Sequence, residues 1–470
     1  MFRAAIVILL LVAAPASAQD RQERVPESQA EITLTFAPIV RKAAPAVVNI
    51  YTRKTRPRRA SPFAGDPFFE RFFGGFFDRP GGRRRVENSL GSGVIVDAQG
   101  LVVSNHHVVK GADEITVVLS DRREFDAEVV FTDEASDLSV LRLDDVDEDD
   151  DLPVLPFRDS DSLEVGDLVL AIGNPFGVGQ TVTSGIISGL ARGPAGVRRP
   201  EAAEGGYFVQ TDAAINPGNS GGALVDMAGA LVGVNTAILS RSGGSNGIGF
   251  AVPSNLVARV VDAARGGERR LPRAWLGLDA QVVTAELAEA LGLERPEGVL
   301  VRDLHDESPL AAAGLRPGDL ILSFEGAAID NPATLAFRSA TLGTGGEARL
   351  GFLRRGEERE VLVTLAPPPE RPARDPRRLS AVGSLSGLAV VSVNPAVIVE
   401  AGLPLNVEGV LVADIQGPAR RSGLRRGDVI FEVDETPVAT TEELQLALSD
   451  GAASLGVQRR GQRGRVRVRQ

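Results

Sequence analysis

The chain has 470 residues, of which 43% are hydrophobic, and its formal net charge at neutral pH is −11. This length suits about three domains with buried cores, and the acidic balance argues against a dedicated nucleic-acid-binding protein. The sequence contains no cysteine, which excludes disulfides, thiolate metal sites and a thiol nucleophile.

Residues 1–18 have the pattern of a secretory signal peptide. Arg3 precedes a short apolar run, residues 4–14, and residues 16–18 fit the small-x-small cleavage pattern. The apolar run is shorter than the roughly 18 residues of a membrane-spanning helix. We therefore expect cleavage before Gln19, export from the cytoplasm and no stable membrane insertion, with an uncleaved anchor as the alternative.

Residues 53–87 are rich in arginine, proline and glycine and contain seven phenylalanines, at positions 63, 68, 69, 72, 73, 76 and 77. This composition predicts a long loop inserted near the start of a β-barrel. Disorder is one interpretation, although so many phenylalanines are unusual in a solvated linker. Binding of single-stranded nucleic acid or a membrane surface is another.

Short β-branched segments recur with turn signals between them, which is typical of β-barrels. The predicted strands cover residues 46–51, 90–97, 100–104, 114–119, 124–131, 138–143, 167–172, 181–190, 207–210, 231–236 and 248–253. A closing helix is predicted from Ser254, its expected N-cap, to about Ala264. The acidic run 144–151 is interpreted as a solvated turn, because Leu152 and Arg158 occupy the places where a calcium loop needs glycine and glutamate.

A serine framed by glycines marks the candidate active site. Ser220 lies in the sequence Gly-Asn-Ser-Gly-Gly, residues 218–222, where small neighbours suit a nucleophile on a tight turn and leave N–H groups for an oxyanion. A plain surface turn is the alternative. Two histidines, His106 and His107, lie upstream, and Asp137 lies between them and the serine.

The order His, Asp, Ser is that of chymotrypsin-type proteases. The α/β-hydrolases need their acid and histidine after the serine, and the only later histidine, His305, falls in a different domain. We expect His305 to be a surface residue. Asp133 is an alternative to Asp137 as the acid.

An internal repeat occupies the second half. Residues 298–301 return at 409–412, and the Ala-Gly-Leu-Arg-Pro-Gly-Asp-Leu-Ile of 313–321 returns, with substitutions, at 422–430. A proline-rich stretch, 367–372, separates the copies and predicts a stiff linker.

These motifs resemble the HtrA family of serine proteases, in its Do-type form with two PDZ domains. The resemblance implies a mostly β fold: a chymotrypsin-like double β-barrel protease domain at 19–266, followed by two α+β PDZ domains. The PDZ domains are expected at 271–366 and 379–470, with a linker at 367–378. It also implies that residues 53–87 form a regulatory loop that docks on a neighbouring subunit's active site.

The resemblance assigns roles to individual residues. His107 is the base, Asp137 its acid partner and Ser220 the nucleophile, while Gly218, Asn219 and Ser220 form the oxyanion hole. The substrate pocket is expected at Ala214, Ile215, Ala237 and Ile238, and it should be small and apolar. Peptide-binding loops are expected at Trp275, Leu276, Gly277 and Leu278, and at Leu385, Ser386, Gly387 and Leu388. No cofactor and no metal are expected.

The expected function is ATP-independent endoproteolysis of unfolded or misfolded polypeptides in the periplasm, after small aliphatic residues, with accompanying chaperone activity. The PDZ domains are expected to bind peptide C-termini or extended segments, and the chain to form homotrimers that assemble further. No nucleic-acid partner is expected. The alternatives are a holding chaperone with little proteolysis and a membrane-anchored regulatory protease.

Overall fold

A computed structural model of the chain describes residues 35–57, 84–174, 179–190, 207–238, 245–379, 383–449 and 454–467. The architecture is mostly β: two closed six-stranded barrels are followed by two further sheets. The predicted signal peptide and the phenylalanine-rich centre of the predicted loop lie outside the described residues. Within the described part of the chain, no helix is long and apolar enough to cross a membrane.

The first barrel has the strand order β1-β2-β3-β6-β5-β4, and a short helix precedes it. Its elements are α1 (Ala37–Ala43), β1 (Val47–Pro57), β2 (Arg84–Asp97), β3 (Leu101–Asn105), α2 (His106–Val109), β4 (Glu114–Val118), β5 (Glu124–Asp133) and β6 (Leu138–Leu143). Inward-facing β-branched and leucine side chains, such as Val48, Ile50, Ile95, Val102 and Leu141, fill the barrel.

The first barrel extends further than the sequence predicts. Residues 53–57 and 84–87, predicted as loop, continue β1 and β2 in unbroken antiparallel register, from Arg53 opposite Asn88 to Pro57 opposite Arg84. Each added pair satisfies backbone groups that a loop would leave to solvent, so the hairpin continues despite its arginines and proline. The predicted loop is therefore shortened at both ends.

The second barrel has the order β10-β11-β12-β9-β8-β7. Its strands are β7 (Leu168–Gly173), β8 (Thr181–Gly189), β9 (Val209–Thr211), β10 (Ala223–Val225), β11 (Leu231–Ile238) and β12 (Gly249–Pro253). Helix α3 (Ser254–Arg265) closes the domain and buries Val257, Val260 and Val261 against both barrels.

The start of α3 differs from its prediction. Pro253 is the N-cap, and Ser254 is the first helical residue. The Ser254 hydroxyl donates to the Arg158 carbonyl, 2.5 Å away, instead of accepting from its own helix. A tertiary contact thus replaces the predicted cap.

The first repeat folds as a sheet of order β13-β14-β15-β17-β18, with β16 beside β15. Its elements are β13 (Leu278–Val282), α4 (Ala285–Leu291), β14 (Val299–Leu304), α5 (Pro309–Ala312), β15 (Leu320–Phe324), β16 (Ala327–Ala328), α6 (Pro332–Leu342), β17 (Gly346–Arg354) and β18 (Glu357–Leu365). It packs around Phe324, Leu350 and Val363, which are buried.

The second repeat has the same plan with one added edge strand. Its elements are β19 (Arg377–Arg378), β20 (Leu388–Ser392), α7 (Pro395–Ala401), β21 (Val410–Ile415), β22 (Val429–Val433), β23 (Thr436–Pro437), α8 (Thr441–Ser449), β24 (Ser454–Arg459) and β25 (Gln462–Arg467). The added strand β19 pairs with β20 and comes from the end of the predicted linker. Apart from β19, the two sheets match strand for strand, as the repeat predicts.

The first repeat packs directly on the two barrels. Phe337 and Ala340, on α6, are buried in the same apolar cluster as α3 and the two barrels. The Phe337 ring stacks on Tyr207, with centroids 3.9 Å apart and planes 8° apart. Arg338 forms an ion pair with Asp161 beside this stack. The contact places α6 against the segment that leads into β9.

Candidate active site

His107 and Asp137 meet at one end of the first barrel. β3 ends at Asn105, so the two histidines open the helical turn α2, while Asp137 lies in the turn between β5 and β6. His107 Nδ1 lies 2.7 Å from Asp137 Oδ2, and the His107 backbone N–H donates to Asp137 Oδ1 over 3.0 Å. The Asp137 carboxylate therefore orients both the ring and the backbone of His107.

Asp137 also accepts a hydrogen bond from the second barrel. The Thr236 hydroxyl donates to Asp137 Oδ2 over 2.8 Å. Burial opposes ionisation of this carboxyl, but the hydrogen bonds from His107 and Thr236 outweigh burial and hold the pKa of Asp137 below its usual value. An ionised Asp137 keeps the proton of a neutral His107 on Nδ1, which leaves Nε2 as a base.

The Ser220 loop lies between β9 and β10 and rests on the first barrel. Gly218 has a φ of +103°, which favours glycine. Gly221 also has positive φ, and a Cβ there would collide with the Ser92 carbonyl. These two glycines let the loop approach β2 closely.

Ser92 fastens this loop to the first barrel. Its hydroxyl donates to the Gly218 carbonyl over 2.6 Å and accepts from the Asn174 N–H over 2.9 Å. Its backbone N–H donates to the Ser220 carbonyl over 2.9 Å. Ser92 and Thr236 were not predicted as site residues, because only the fold brings them to the site. The Gly-Ser-Gly at 91–93 is the one local signal for Ser92.

The Ser220 hydroxyl is turned away from His107. It donates to the Thr236 carbonyl, 3.2 Å away. Among the described residues no hydrogen bond joins Ser220 Oγ to His107. His107 is the more exposed residue of the His107–Asp137 pair, with 39% of its side chain accessible. The structure thus brings the three predicted residues to one site and leaves the serine–histidine bond unmade.

Two backbone N–H groups of the Ser220 loop remain available to a ligand. The N–H groups of Gly218 and Ser220 donate to no other described residue. The Asn219 N–H, in contrast, donates to the Asn216 carbonyl over 3.0 Å, so it is already engaged in the turn. Of the three residues predicted for the oxyanion hole, the geometry therefore suits the N–H groups of Gly218 and Ser220.

The residues predicted for the substrate pocket lie on neighbouring segments of the second barrel. Ile215 is fully buried, and Ala214 is partly exposed. Ala237 and Ile238 end β11 and pair with Phe250 and Gly249 of β12.

A small residue is required beside this pocket. A Cβ added at Gly249 would come within 2.7 Å of Ile215 Cδ1. Ile215 therefore fills the space in front of Gly249.

The neighbouring histidine and the alternative acid take other positions. His106 Nε2 lies 3.4 Å from Glu134 Oε1, and burial lowers the pKa of His106 despite that carboxylate. Asp133 pairs with Arg273 instead of a histidine, with both carboxylate oxygens 2.6–2.7 Å from the guanidinium. Asp133 is thus not the partner of His107.

The predicted peptide-binding loops have equivalent conformations in the two PDZ domains. Gly277 and Gly387 both have positive φ. Each carbonyl accepts a backbone N–H from the residue that follows the second strand onward, His305 after β14 and Gln416 after β21. Leu276 and Leu278 are partly buried in the first domain, Leu385 and Leu388 are buried in the second, and Ser386 is partly exposed.

Trp275 opens the first of these loops and is 8% exposed. It packs edge-on against His305, with ring centroids 5.2 Å apart. His305, predicted as a surface residue, is partly exposed, with this contact covering part of its ring. Within the described ranges, no group of three or more acidic, histidine or cysteine side chains could hold a metal ion.

Comparisons with known proteins agree with this arrangement. The trypsin-like peptidase domain family matches residues 91–234, and the PDZ domain family matches residues 274–365. A relative from Halomonas elongata, named a probable periplasmic serine endoprotease, DegP-like, is 37% identical over 459 residues, covering 94% of this chain and 91% of the relative. One of the same name from Ectopseudomonas mendocina is 39% identical over 427 residues, covering 86% of each.

Solved structures agree as well. The structure titled HtrA-type protease AlgW with decapeptide is 42% identical to this chain, with a TM-score of 0.52. The match covers 72% of this chain and 100% of that one.

Proposed function

The chain belongs to the HtrA-type, DegP-like serine endoproteases, and from this membership we propose that it degrades unfolded polypeptides in the periplasm, cutting after small aliphatic residues. The observation that carries the proposal is the pair His107–Asp137 beside a serine whose loop offers two N–H groups that donate to no other described residue. A nucleophile, an oriented base and an oxyanion site are what acyl transfer needs.

The reaction follows from these positions. His107 Nε2 takes the proton of the Ser220 hydroxyl as Oγ attacks the scissile carbonyl carbon. The resulting oxyanion accepts hydrogen bonds from the N–H groups of Gly218 and Ser220, each worth about 3 kcal/mol. His107 then protonates the leaving nitrogen, and the C–N bond breaks to give an acyl-enzyme.

Deacylation repeats the sequence with water. His107 takes a proton from a water molecule as the water oxygen attacks the acyl carbon. The bond between that carbon and Ser220 Oγ then breaks, His107 returns the proton to Oγ, and the product leaves as a carboxylic acid. Asp137 stays ionised and stabilises the imidazolium in both halves. Before the first step the Ser220 hydroxyl must leave the Thr236 carbonyl and turn to His107, so the described site is a resting arrangement.

The pocket supports a preference for valine, isoleucine, alanine or similar residues. Ala214 stands where a trypsin-like pocket carries its aspartate, and Ile215 fills the space in front of Gly249. Such side chains are buried in folded proteins, so unfolded chains are the better substrates.

The two PDZ domains fit the binding of polypeptides. The loops that begin at Trp275 and Leu385 would hold the carboxylate of a peptide added as a strand to each PDZ domain. Retention of unfolded chains there would give a chaperone activity beside proteolysis. We also propose that the chain assembles into homotrimers and larger particles.

The test is hydrolysis of unfolded casein by the purified full chain and its Ser220→Ala variant. The variant should fold normally, bind casein and lose cleavage, while wild-type products end in valine, isoleucine or alanine by mass spectrometry. Hydrolysis by the variant at a rate similar to that of wild type would show that Ser220 is not the nucleophile. Products ending in arginine or lysine would contradict the small apolar substrate pocket.

A further inference from the structure

The turn that carries Asp137 is held from outside the protease barrels. It spans residues 133–138 and joins β5 to β6, with Asp133 paired opposite Leu138 in the ladder. Asp133 is only 7% exposed, and the Arg273 guanidinium grips both of its oxygens. Planar, bidentate pairs of this kind fix geometry as well as charge.

Asp133 also holds Ser136, inside the same turn. Its Oδ2 accepts the Ser136 N–H over 3.1 Å and the Ser136 hydroxyl. Ser136 is the residue before Asp137, whose φ of +57° is unusual for a residue with a side chain. The carboxylate of Asp133 therefore holds the residue that sets the backbone direction at Asp137.

Burial opposes ionisation of Asp133, but Arg273 and the Ser136 bonds hold its pKa below the usual value. Without Arg273 the carboxylate would be buried with no cation beside it. It would then gain a proton or draw in water, and either change alters the bonds to Ser136.

Arg273 comes from the connector between α3 and the first PDZ domain. Two residues later, Trp275 opens the first peptide-binding loop, and its N–H donates to the Ala366 carbonyl over 2.9 Å. One short stretch therefore contacts both the turn of the catalytic acid and the start of the PDZ domain.

We propose that Arg273 is a positioning residue for proteolysis, which acts through Asp133 and Ser136 to hold the Asp137 carboxylate against His107. The inference rests on the proposed function, because it takes Asp137 as the acid of the site. Arg273 itself touches no reacting atom. The competing explanation is that the Arg273–Asp133 pair only tethers the PDZ domain.

The experiment measures kcat and KM of the full chain on a short internally quenched peptide with valine before the scissile bond and an amidated C-terminus. Such a peptide offers no free carboxylate to the PDZ domains. The variants are Arg273→Ala, Arg273→Lys, Asp133→Asn and the double variant with Arg273→Ala and Asp133→Asn. Thermal unfolding and light scattering verify that each is folded.

Arg459→Ala is the matched control. Arg459 makes the same bidentate contact, at 2.7 Å on each oxygen, with the buried Asp428 of the second PDZ domain. It lies outside the protease domain, so its loss should leave kcat within about twofold of wild type.

Arg273→Ala should lower kcat by between about 10- and 100-fold with little change in KM, since small misplacements of catalytic groups cost rates of that size. Arg273→Lys should recover part of the loss, because lysine restores the charge but not the fork. Asp133→Asn, which keeps an acceptor for Ser136, should also lower kcat. The double variant should lose less than the product of the two single effects, because both act through one contact.

A kcat for Arg273→Ala equal to that of Arg459→Ala would overturn the proposal. So would a double variant whose fold loss in kcat equals the product of the losses in the two single variants. Should Arg273→Ala fail to fold, Asp133→Asn and Arg273→Lys decide by the same criterion. Failure of the proposed function is visible separately, since wild type would then leave the peptide uncut or Ser220→Ala would cut it.

Discussion

The Asp137 carboxylate accepts hydrogen bonds from two distant parts of the chain. The His107 ring and backbone follow β3, Thr236 lies on β11 of the other barrel, and Asp137 itself lies between β5 and β6. The junction of the two barrels thus fixes the base before any substrate arrives. Ser220 Oγ donates to the Thr236 carbonyl and must turn to His107 before it can react.

His106 should make stability depend on pH. Burial lowers its folded pKa against the influence of Glu134, while Lys110 lowers it further; Asp137 and His107 also face it. The unfolded chain, with a histidine pKa of about 6.5, therefore binds more protons than the folded one below that pH. Stability should fall as pH drops from about 6.5 towards the folded pKa.

His106→Gln removes this titrating group and should flatten the dependence between about pH 7.5 and 5.5. The measurement is the free energy of unfolding in urea at both pH values, for wild type and variant. The other two histidines are present in both proteins, so their effects cancel. An equal decrease in both proteins would contradict the assignment.

At the scale of elements, the site depends on how β2 meets the Ser220 loop. Ser92→Ala would leave the Gly218 carbonyl and the Asn174 N–H without their partner in a buried position, which costs about 1–3 kcal/mol for each unsatisfied group. The free energy of unfolding should fall by that order, and kcat with it, since the N–H of Gly218 belongs to the same loop. Unchanged kcat in a destabilised Ser92→Ala protein would show that the Ser92 hydrogen bonds contribute to stability alone.

The elements also show what local patterns can and cannot predict. Strand β10, Ala223–Val225, was missed because three residues are too few for alternation to show. The other strands of both barrels, the repeat and the grouping of His107, Asp137 and Ser220 were predictable, because alternation and short motifs are properties of neighbouring residues. Ser92, Thr236 and Arg273 were not, since each reaches the site through a contact between residues 99 to 140 positions apart in the chain. The extension of β1 past Arg53 was missed for the same reason: pairing with β2 determines it.

At the scale of the molecule, the first PDZ domain and the protease domain share one apolar cluster. Phe337→Ala should remove the stack on Tyr207 and reduce stability by about 3 kcal/mol, as in other large-to-small core changes. Calorimetry should show a lower or divided transition. Leu446→Ala, at a leucine 69% exposed on α8, is the control and should change little. A Phe337→Ala transition identical to wild type would contradict the packing.

Covalent labelling shows whether Ser220 is the nucleophile. Wild-type protein treated with diisopropyl fluorophosphate, a reagent that phosphorylates activated serines, should gain one adduct per chain, lose casein hydrolysis in step with labelling, and carry the adduct on Ser220 by peptide mapping. His107→Ala should label far more slowly, because the base is gone. An adduct on another residue that accompanies the loss of activity, or full casein hydrolysis by a protein labelled at Ser220, would contradict the account.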